Sequence, residues 1–390
     1  MRFNSIQDLK GLTVLQVIPA LDAGGAERTT VEVSKAIVDS GGRSLVFSSG
    51  GRLEEDIETT GGKIIKGPVG SKNPLVIWRN SRDLINIIRN KNVSIIHARS
   101  RAPAWSALWA SKATDVGFVT TYHGAYRAVS AIKRFYNSSM TRADKVIANS
   151  QFTATRILEQ TDLAPEKLVV VPRGADLDRF APHKVTDDDR RNLLRQWKLS
   201  EDDLIILLPA RLTDWKGHLV AVEAFSRVRS DLPPRTKLVF TGDDQGRTDF
   251  RAKVERAIER HDLSDDVLLV GHTDNMPAAF SLAHIVLSPA TRPEAFGRVA
   301  VEAGAMERVV IAANHGGAQE TIIDGKTGFL VTPGDDEMLA EQIKKTFALS
   351  VDERLNVGGE ARAHVEAKYS ITSMTSSTLA VYVSAMKKPS

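Results

Sequence analysis

Short runs of aliphatic and β-branched residues alternate along the chain with longer segments whose apolar positions recur at helical spacing. In the first half the runs are TVLQVIPAL, SLVFSS, KIIKGPV, VSIIHAR, FVTTYHG, KVIANS and LVVVPRG. Runs this continuous, without a regular polar alternation, mark strands buried on both faces, as in a parallel sheet covered by helices. Segment 26–40 is a representative helix: Ala26, Val31, Val33, Ala36 and Ile37 supply an apolar face, and Gly41 with Gly42 ends it. A second series follows as LIILLPAR, KLVFTGD, VLLVGH, IVLSPA, VVIAAN and GFLV. Between the two series, residues 177–203 lack a strand signal, carry the acidic run Asp187 to Asp189 and include the patch RRNLLRQWKL, so they read as the connection between domains. The pattern predicts an α/β fold of two doubly wound, Rossmann-like domains, residues 1–182 and 183–369. They are expected to face each other across a cleft lined by the carboxyl ends of both sets of strands, with a segment of about 370–390 packing back on the first.

Length and composition narrow the picture. A chain of 390 residues exceeds what one hydrophobic core supports, and 42% apolar with 26% charged residues excludes a disordered or fibrous chain. The absence of cysteine excludes disulfides and thiolate metal sites and agrees with a reducing compartment. The apolar stretch from Leu12 to Ala20 is too short for a signal peptide or a membrane span, so the expected location is cytoplasmic. The first 180 residues hold 25 basic against 17 acidic side chains, and the remainder holds 27 against 31. The basic excess, concentrated between Arg99 and Arg156, suits an anionic partner such as a phosphorylated glycan or the inner face of the cytoplasmic membrane, although a merely solvated basic face accounts for the same residues. Segment 125–142 adds Ile132, Phe135, Tyr136 and Met140 at helical spacing beside Arg127, Lys133 and Arg134, which fits either a membrane surface or an ordinary core-facing helix. Nucleic acid is not an expected partner.

The chemistry concentrates at strand ends. In SPATRPEAFGRVAVEAGAMERVVIAANHGGAQE a helix is expected from Gly297, so the backbone N–H groups of Phe296, Gly297 and Arg298 would present a helix's positive end to a diphosphate. Glu302, further along that helix, could accept from a ribose, and Glu294, before it, from hydroxyls of a sugar; glutamates at this spacing also arise by chance. Strand LIILLPA runs into Arg211 and, five residues on, Lys216, two cations placed to neutralise a departing diphosphate unless they are a solvated loop. No metal or other cofactor is expected, and Asp243 with Asp244 reads as a turn. In the first half, Gly24 and Gly25 follow the first strand and let backbone approach a ligand, with Glu27 opening the next helix. The dinucleotide fingerprint is absent there. His123, Ser150 and Arg173 each end a strand on the same rim.

Taken in order, GGAE, the strand-end His123, VVPRGADLDRF, ARLTDWKG, PEAFGRVAVEA, and GGAQE followed by GKTGFLV resemble family 4 of retaining glycosyltransferases, which have the GT-B fold; the likeness spans residues 24–331. The resemblance implies that Gly24 and Gly25 approach the phosphates and the acceptor side. It implies further that Arg211 and Lys216 hold the diphosphate, that Glu294 and Glu302 contact donor sugar and ribose, and that His123 lies near the transferred sugar. Arg173 departs from it, standing where the family has Asn before a Gly, which leaves that loop's contacts open. The implied activity is metal-independent, retaining transfer from a nucleotide-diphosphate sugar to a hydroxyl of a glycan or lipid-linked acceptor. The leaving phosphate would help deprotonate the acceptor, so no protein nucleophile is sought. GGAERTT, HARSRAPAWSALWA and TTYHGAYRA are similar to bacterial enzymes of lipopolysaccharide core or polysaccharide assembly. A sugar-nucleotide epimerase, a phosphorylase on the same scaffold and a catalytically silent nucleotide-binding protein are the competing readings.

Overall fold

The structure, a computed structural model, describes residues 9–22, 24–124 and 130–387. The chain divides into two compact units: residues 1–173 with 371–390, and residues 174–370.

The first unit is built on a parallel sheet of seven strands: β1 (Thr13–Val17), β2 (Arg43–Ser48), β3 (Lys63–Lys66), β4 (Ile95–Ala98), β5 (Gly117–Tyr122), β6 (Lys145–Ala148) and β7 (Leu168–Val170), in the order β3-β2-β1-β4-β5-β6-β7. Strand order reverses between β1 and β4, so the loops leaving their carboxyl ends run in opposite directions, the arrangement at which open α/β sheets bind ligands. Helix Gly25–Asp39 covers one face, where Val33 and Ile37 pack with Val14 and Val119 and with Met374, Leu379 and Tyr382 of the helix Ile371–Ala385.

The second unit carries a parallel sheet of six strands: β8 (Leu204–Pro209), β9 (Thr236–Thr241), β10 (Val267–Gly271), β11 (Ala283–Ser288), β12 (Val310–Ala313) and β13 (Phe329–Val331), in the order β10-β9-β8-β11-β12-β13. The reversal here falls between β8 and β11. Both sheets therefore match the doubly wound architecture that the uninterrupted apolar runs predict, because each central strand is covered on both faces.

Two expectations change. Residues 177–203 are not a free-standing connection: Phe180, Leu193, Leu194 and Trp197 are buried in one cluster with Ile205 and Val286 of the second sheet. Burying one such large apolar side chain stabilises by about 2 kcal/mol, enough to hold the segment to the unit. The acidic run is the first turn of helix Asp187–Trp197, where Thr186 and Asp189 form a reciprocal capping box and the carboxylates face the positive end of the helix. The crossing into the second unit accordingly falls after Arg173, ahead of the 182/183 boundary drawn from the pattern.

Candidate active site

In the second unit the loop after β8 is fastened to the loop after β11 at the strand-order reversal. Gly217, at φ +85°, starts helix His218–Val228, and a Cβ there would stand 2.0 Å from the Pro289 carbonyl oxygen, so only glycine permits the approach. The Thr291 N–H donates to the Trp215 carbonyl at 2.8 Å, and Arg292 pairs with Asp214 at 2.9 Å. These contacts bring Lys216 Nζ to 2.7 Å from Glu294 Oε1, with the two side chains only 15% and 17% exposed. The same ammonium lies 4.5 Å from the centre of the Trp215 ring.

Arg211 does not join it. The guanidinium is exposed and donates to Gln245 Oε1 at 3.2 Å, beside the turn after β9. The two cations of the loop after β8 thus have partners in different loops, Arg211 in the one after β9 and Lys216 in the one after β11. In that turn Asp243 accepts from the Gln245 N–H and Asp244 from the Gly246 N–H, so the adjacent carboxylates cap backbone. Among the described residues no group of three or more metal-binding side chains comes together.

Helix Arg298–Ala305 begins at Gly297, which has φ +79° and acts as its N-cap. The N–H groups of Phe296 and Gly297 take no hydrogen bond among the described residues, so they stay available at the positive end of that helix. Glu302 is engaged by Arg298 at 3.0 Å from Nε and 2.9 Å from a terminal nitrogen. Both candidate carboxylates are therefore held by a neighbouring cation. The pair of glycines in GGAQE makes this packing possible. A Cβ on Gly316 would meet the Glu294 carbonyl at 2.4 Å, one on Gly317 would meet Phe296 Cα at 2.4 Å, and the Gly317 N–H donates to the Glu294 carbonyl at 2.9 Å.

In the first unit, Gly24 and Gly25 open helix Gly25–Asp39, and a Cβ on Gly25 would stand 2.2 Å from an Arg173 terminal nitrogen, so that guanidinium lies directly over the glycine turn. Arg173 donates to His123 Nδ1 at 2.9 Å. Because a guanidinium can only donate, Nδ1 accepts and the proton of the neutral ring resides on Nε2. Burial, then the charges of Arg173 and Arg99, push the His123 pKa well below its usual value, which keeps the ring neutral. Its Nε2–H is buried without a hydrogen-bond partner among the described residues. That leaves a donor to be satisfied by a ligand or water.

Beneath it lies a polar layer the sequence did not reveal. His97 is fully buried between Tyr382 Oη at 2.7 Å and Thr121 Oγ1 at 2.8 Å. Arg99, only 2% exposed, donates twice to Gln16 Oε1, at 2.8 and 2.5 Å. Burial pushes the Tyr382 pKa up to about 12, so its hydroxyl stays protonated beside that guanidinium. The C-terminal helix thus contributes a hydrogen-bonding side chain to the strand-end layer of the first sheet. Ser150 has a local role, its Oγ capping helix Gln151–Gln160 by accepting from the Thr153 N–H at 3.0 Å.

The family model for glycosyl transferases group 1 matches residues 189–364 and that for Glycosyltransferase Family 4 matches residues 23–179. The crystal structure of a glycosyltransferase from Rickettsia africae is 36% identical, with a TM-score of 0.90 over 97% of this chain and 100% of that one. The chain belongs to the family 4 glycosyltransferases. Its two sheets are those of the GT-B fold, and HepE of Anabaena, solved in complex with UDP and glucose, shares that fold at a TM-score of 0.81 and 23% identity, over 96% of this chain and 100% of that one. A curated relative, the lipopolysaccharide 1,2-N-acetylglucosaminetransferase of Salmonella typhimurium, is 30% identical over 234 residues, a stretch that spans 58% of each protein.

Within this glycosyltransferase the structure brings together Lys216 with Glu294, Arg298 with Glu302, and His123 with Arg173 and Gly25, while Arg211 contacts Gln245. The departure at Arg173 now has a local account, since its side chain orients His123. Of segment 125–142, Arg127 lies outside the described residues. Helix Ala131–Asn137 turns Ile132 and Phe135 outward, 83% and 62% exposed, while Met140 is buried. No helix among the described residues is long and apolar enough to cross a membrane.

Proposed function

We propose that this glycosyltransferase moves a sugar, with retention of configuration and without a metal, from a nucleotide diphosphate to a hydroxyl of a glycan or lipid-linked acceptor in lipopolysaccharide core or cell-surface polysaccharide assembly. The observation that carries the reading is the Lys216–Glu294 pair two residues before the N–H groups of Phe296 and Gly297, which take no hydrogen bond among the described residues. A departing nucleoside diphosphate gathers negative charge, and preset donors stabilise it most where water is scarce. Phe296 and Gly297 would donate to the diphosphate, Lys216 would share its charge between Glu294 and a phosphate oxygen, and Glu294 would also accept from a hydroxyl of the sugar. Glu302, steadied by Arg298, would accept from the ribose. His123 would donate its Nε2–H to a sugar hydroxyl. It is unsuited to act as a base, because its other nitrogen is occupied by Arg173. The acceptor proton would pass to the leaving phosphate oxygen as the new glycosidic bond forms on the same face.

The relationship to a lipopolysaccharide N-acetylglucosaminetransferase supports the pathway. The outward Ile132 beside the exposed Lys133 supports peripheral contact with the anionic inner face of the cytoplasmic membrane. Incubation with labelled nucleotide sugars, with and without truncated lipopolysaccharide core and in the presence of EDTA, tests the reading. Transfer is expected with the donor's anomeric configuration kept in the product. An inverted product, complete loss of activity with EDTA, or isomerisation of donor without transfer would overturn it.

A further inference from the structure

A cavity of about 530 Å³ opens on the first unit, within the size range of small-ligand sites. It lies between helix Ala131–Asn137, which supplies Arg134 and Phe135, and helix Gln151–Gln160, which supplies Arg156; Arg142 and Tyr122 complete the wall. Three arginines line it against one carboxylate, Asp162. Arg156 already pairs with Glu159 at 3.1 Å, whereas Arg134 and Arg142 make no ion pair among the described residues.

The wall is also ordered. Arg142 stands 5.6 Å from the centre of the Trp105 ring and 6.0 Å from that of Phe135. Those two rings lie 5.0 Å apart, and Trp105 is fixed by donating Nε1–H to the Tyr136 carbonyl at 3.0 Å. A guanidinium within cation–π reach of two rings is held near them while its N–H groups can still donate to an anion. Phe135, well exposed beside it, offers an apolar face of the kind sugar rings lie against. Tyr122 directly precedes His123, so the cavity adjoins the strand end that carries the candidate sugar-binding histidine.

We infer that this cavity binds a phosphate-bearing sugar of the acceptor, with Arg134 and Arg142 on the phosphate and Phe135 under the ring. The inference rests on the transferase reading, which it deepens by naming the acceptor as a phosphorylated glycan. A neutral sugar would leave the charge of Arg134 and Arg142 to solvent alone, and a fully apolar ligand would cover them without a partner.

The test uses the full chain, with the donor site filled by saturating nucleoside diphosphate so that phosphate cannot bind there instead. Glucose 6-phosphate and glucose are titrated and followed by ligand-observed NMR on the unaltered protein, on Arg134→Gln/Arg142→Gln, and on Arg142→Gln alone in case the double variant folds poorly. Expected is at least about tenfold tighter binding of glucose 6-phosphate than of glucose, lost in the double variant and weakened in the single one, with nucleoside diphosphate affinity and melting temperature kept. Equal affinity for the two sugars, or undiminished glucose 6-phosphate binding in the variants, would overturn the inference. Vesicles of phosphatidylcholine with phosphatidylglycerol separate the two sources of phosphate. If the variants lose vesicle binding yet keep glucose 6-phosphate affinity, the arginines serve a lipid surface and the inference fails. Failure of the unaltered protein to bind any nucleoside diphosphate would instead strike at the transferase reading, and is seen separately.

Discussion

Lys216 and Glu294, 78 residues apart in the chain, meet at 2.7 Å in a setting where each is mostly shielded from water. The pairing follows from the fold: the loops after β8 and β11 flank the strand-order reversal, and the Gly217 contact with Pro289 draws them together. Each member of such a pair holds the other in place, and loss of either leaves a poorly hydrated charge behind.

Lys216→Ala and Glu294→Gln should therefore not behave additively. Each alone is expected to cut turnover by at least about tenfold, and the double variant should fall well short of the product of the two losses. Steady-state kinetics on the four proteins of the cycle provide the check.

Glu302→Ala should lower turnover by at least about tenfold and weaken nucleoside diphosphate binding, with little change in folding, since the helix keeps its N-cap and loses only a partly exposed pair with Arg298. Thermal-shift titration with the nucleoside diphosphates would reveal the weakened binding as a smaller stabilisation at a given ligand concentration.

Gly217→Ala should destabilise the second unit and impair activity together, because its Cβ would collide with the Pro289 carbonyl and the residue sits at positive φ. Gly246→Ala is the control: it too has positive φ, +76°, but nothing lies within 4 Å. The control should show only the strain of an alanine in that backbone region, about 1 kcal/mol. Melting curves and kcat on both variants separate collision from strain.

How much of this was legible in the chain depends on the range of the interaction. The strands could be read because burial on both faces leaves runs such as LIILLP without polar interruption. Candidate site residues could be placed at strand ends because glycines or charged residues, such as Gly24, Arg211 and Lys216, follow several of the runs. Their partners could not be read. That Lys216 meets Glu294 while Arg211 turns to Gln245 is decided by which loops the sheet order makes neighbours. Likewise Tyr382 sits 285 residues from His97 and gives no local sign of contacting it. Residues 177–203 were misread because a polar, acidic segment looks like a linker until Leu193, Leu194 and Trp197 are seen to share one buried face.

Acidification should destabilise the fold below about pH 6.5. Burial holds His97 and His123 well below their usual pKa and lowers His218 to about 4. The unfolded chain then binds protons that the folded one refuses, so stability present above the unfolded pKa is lost as pH falls toward the folded values. For His218 the difference reaches about 3 kcal/mol near pH 4. His218→Phe, whose ring can keep the edge contacts with Phe240 and Phe250, should flatten the fall in melting temperature between pH 6.5 and 4.

Arg173→Asn should release His123 Nδ1 and mix its tautomers. Nitrogen-15 NMR of the imidazole is expected to show the Nε2–H form alone in the unaltered protein and both forms in the variant, with a loss of turnover. A protonated ring in the unaltered protein at neutral pH would contradict the assigned role of His123 as a neutral donor.

The most direct measurement is the affinity of the nucleoside diphosphate that stabilises the protein most, determined by titration calorimetry with EDTA present for the unaltered chain and for Lys216→Ala. Binding that survives the chelator and weakens at least about tenfold on loss of the lysine is the predicted result. Binding abolished by EDTA, or an equal Kd for the two proteins, would contradict a diphosphate held by Lys216 and the N–H groups at Gly297.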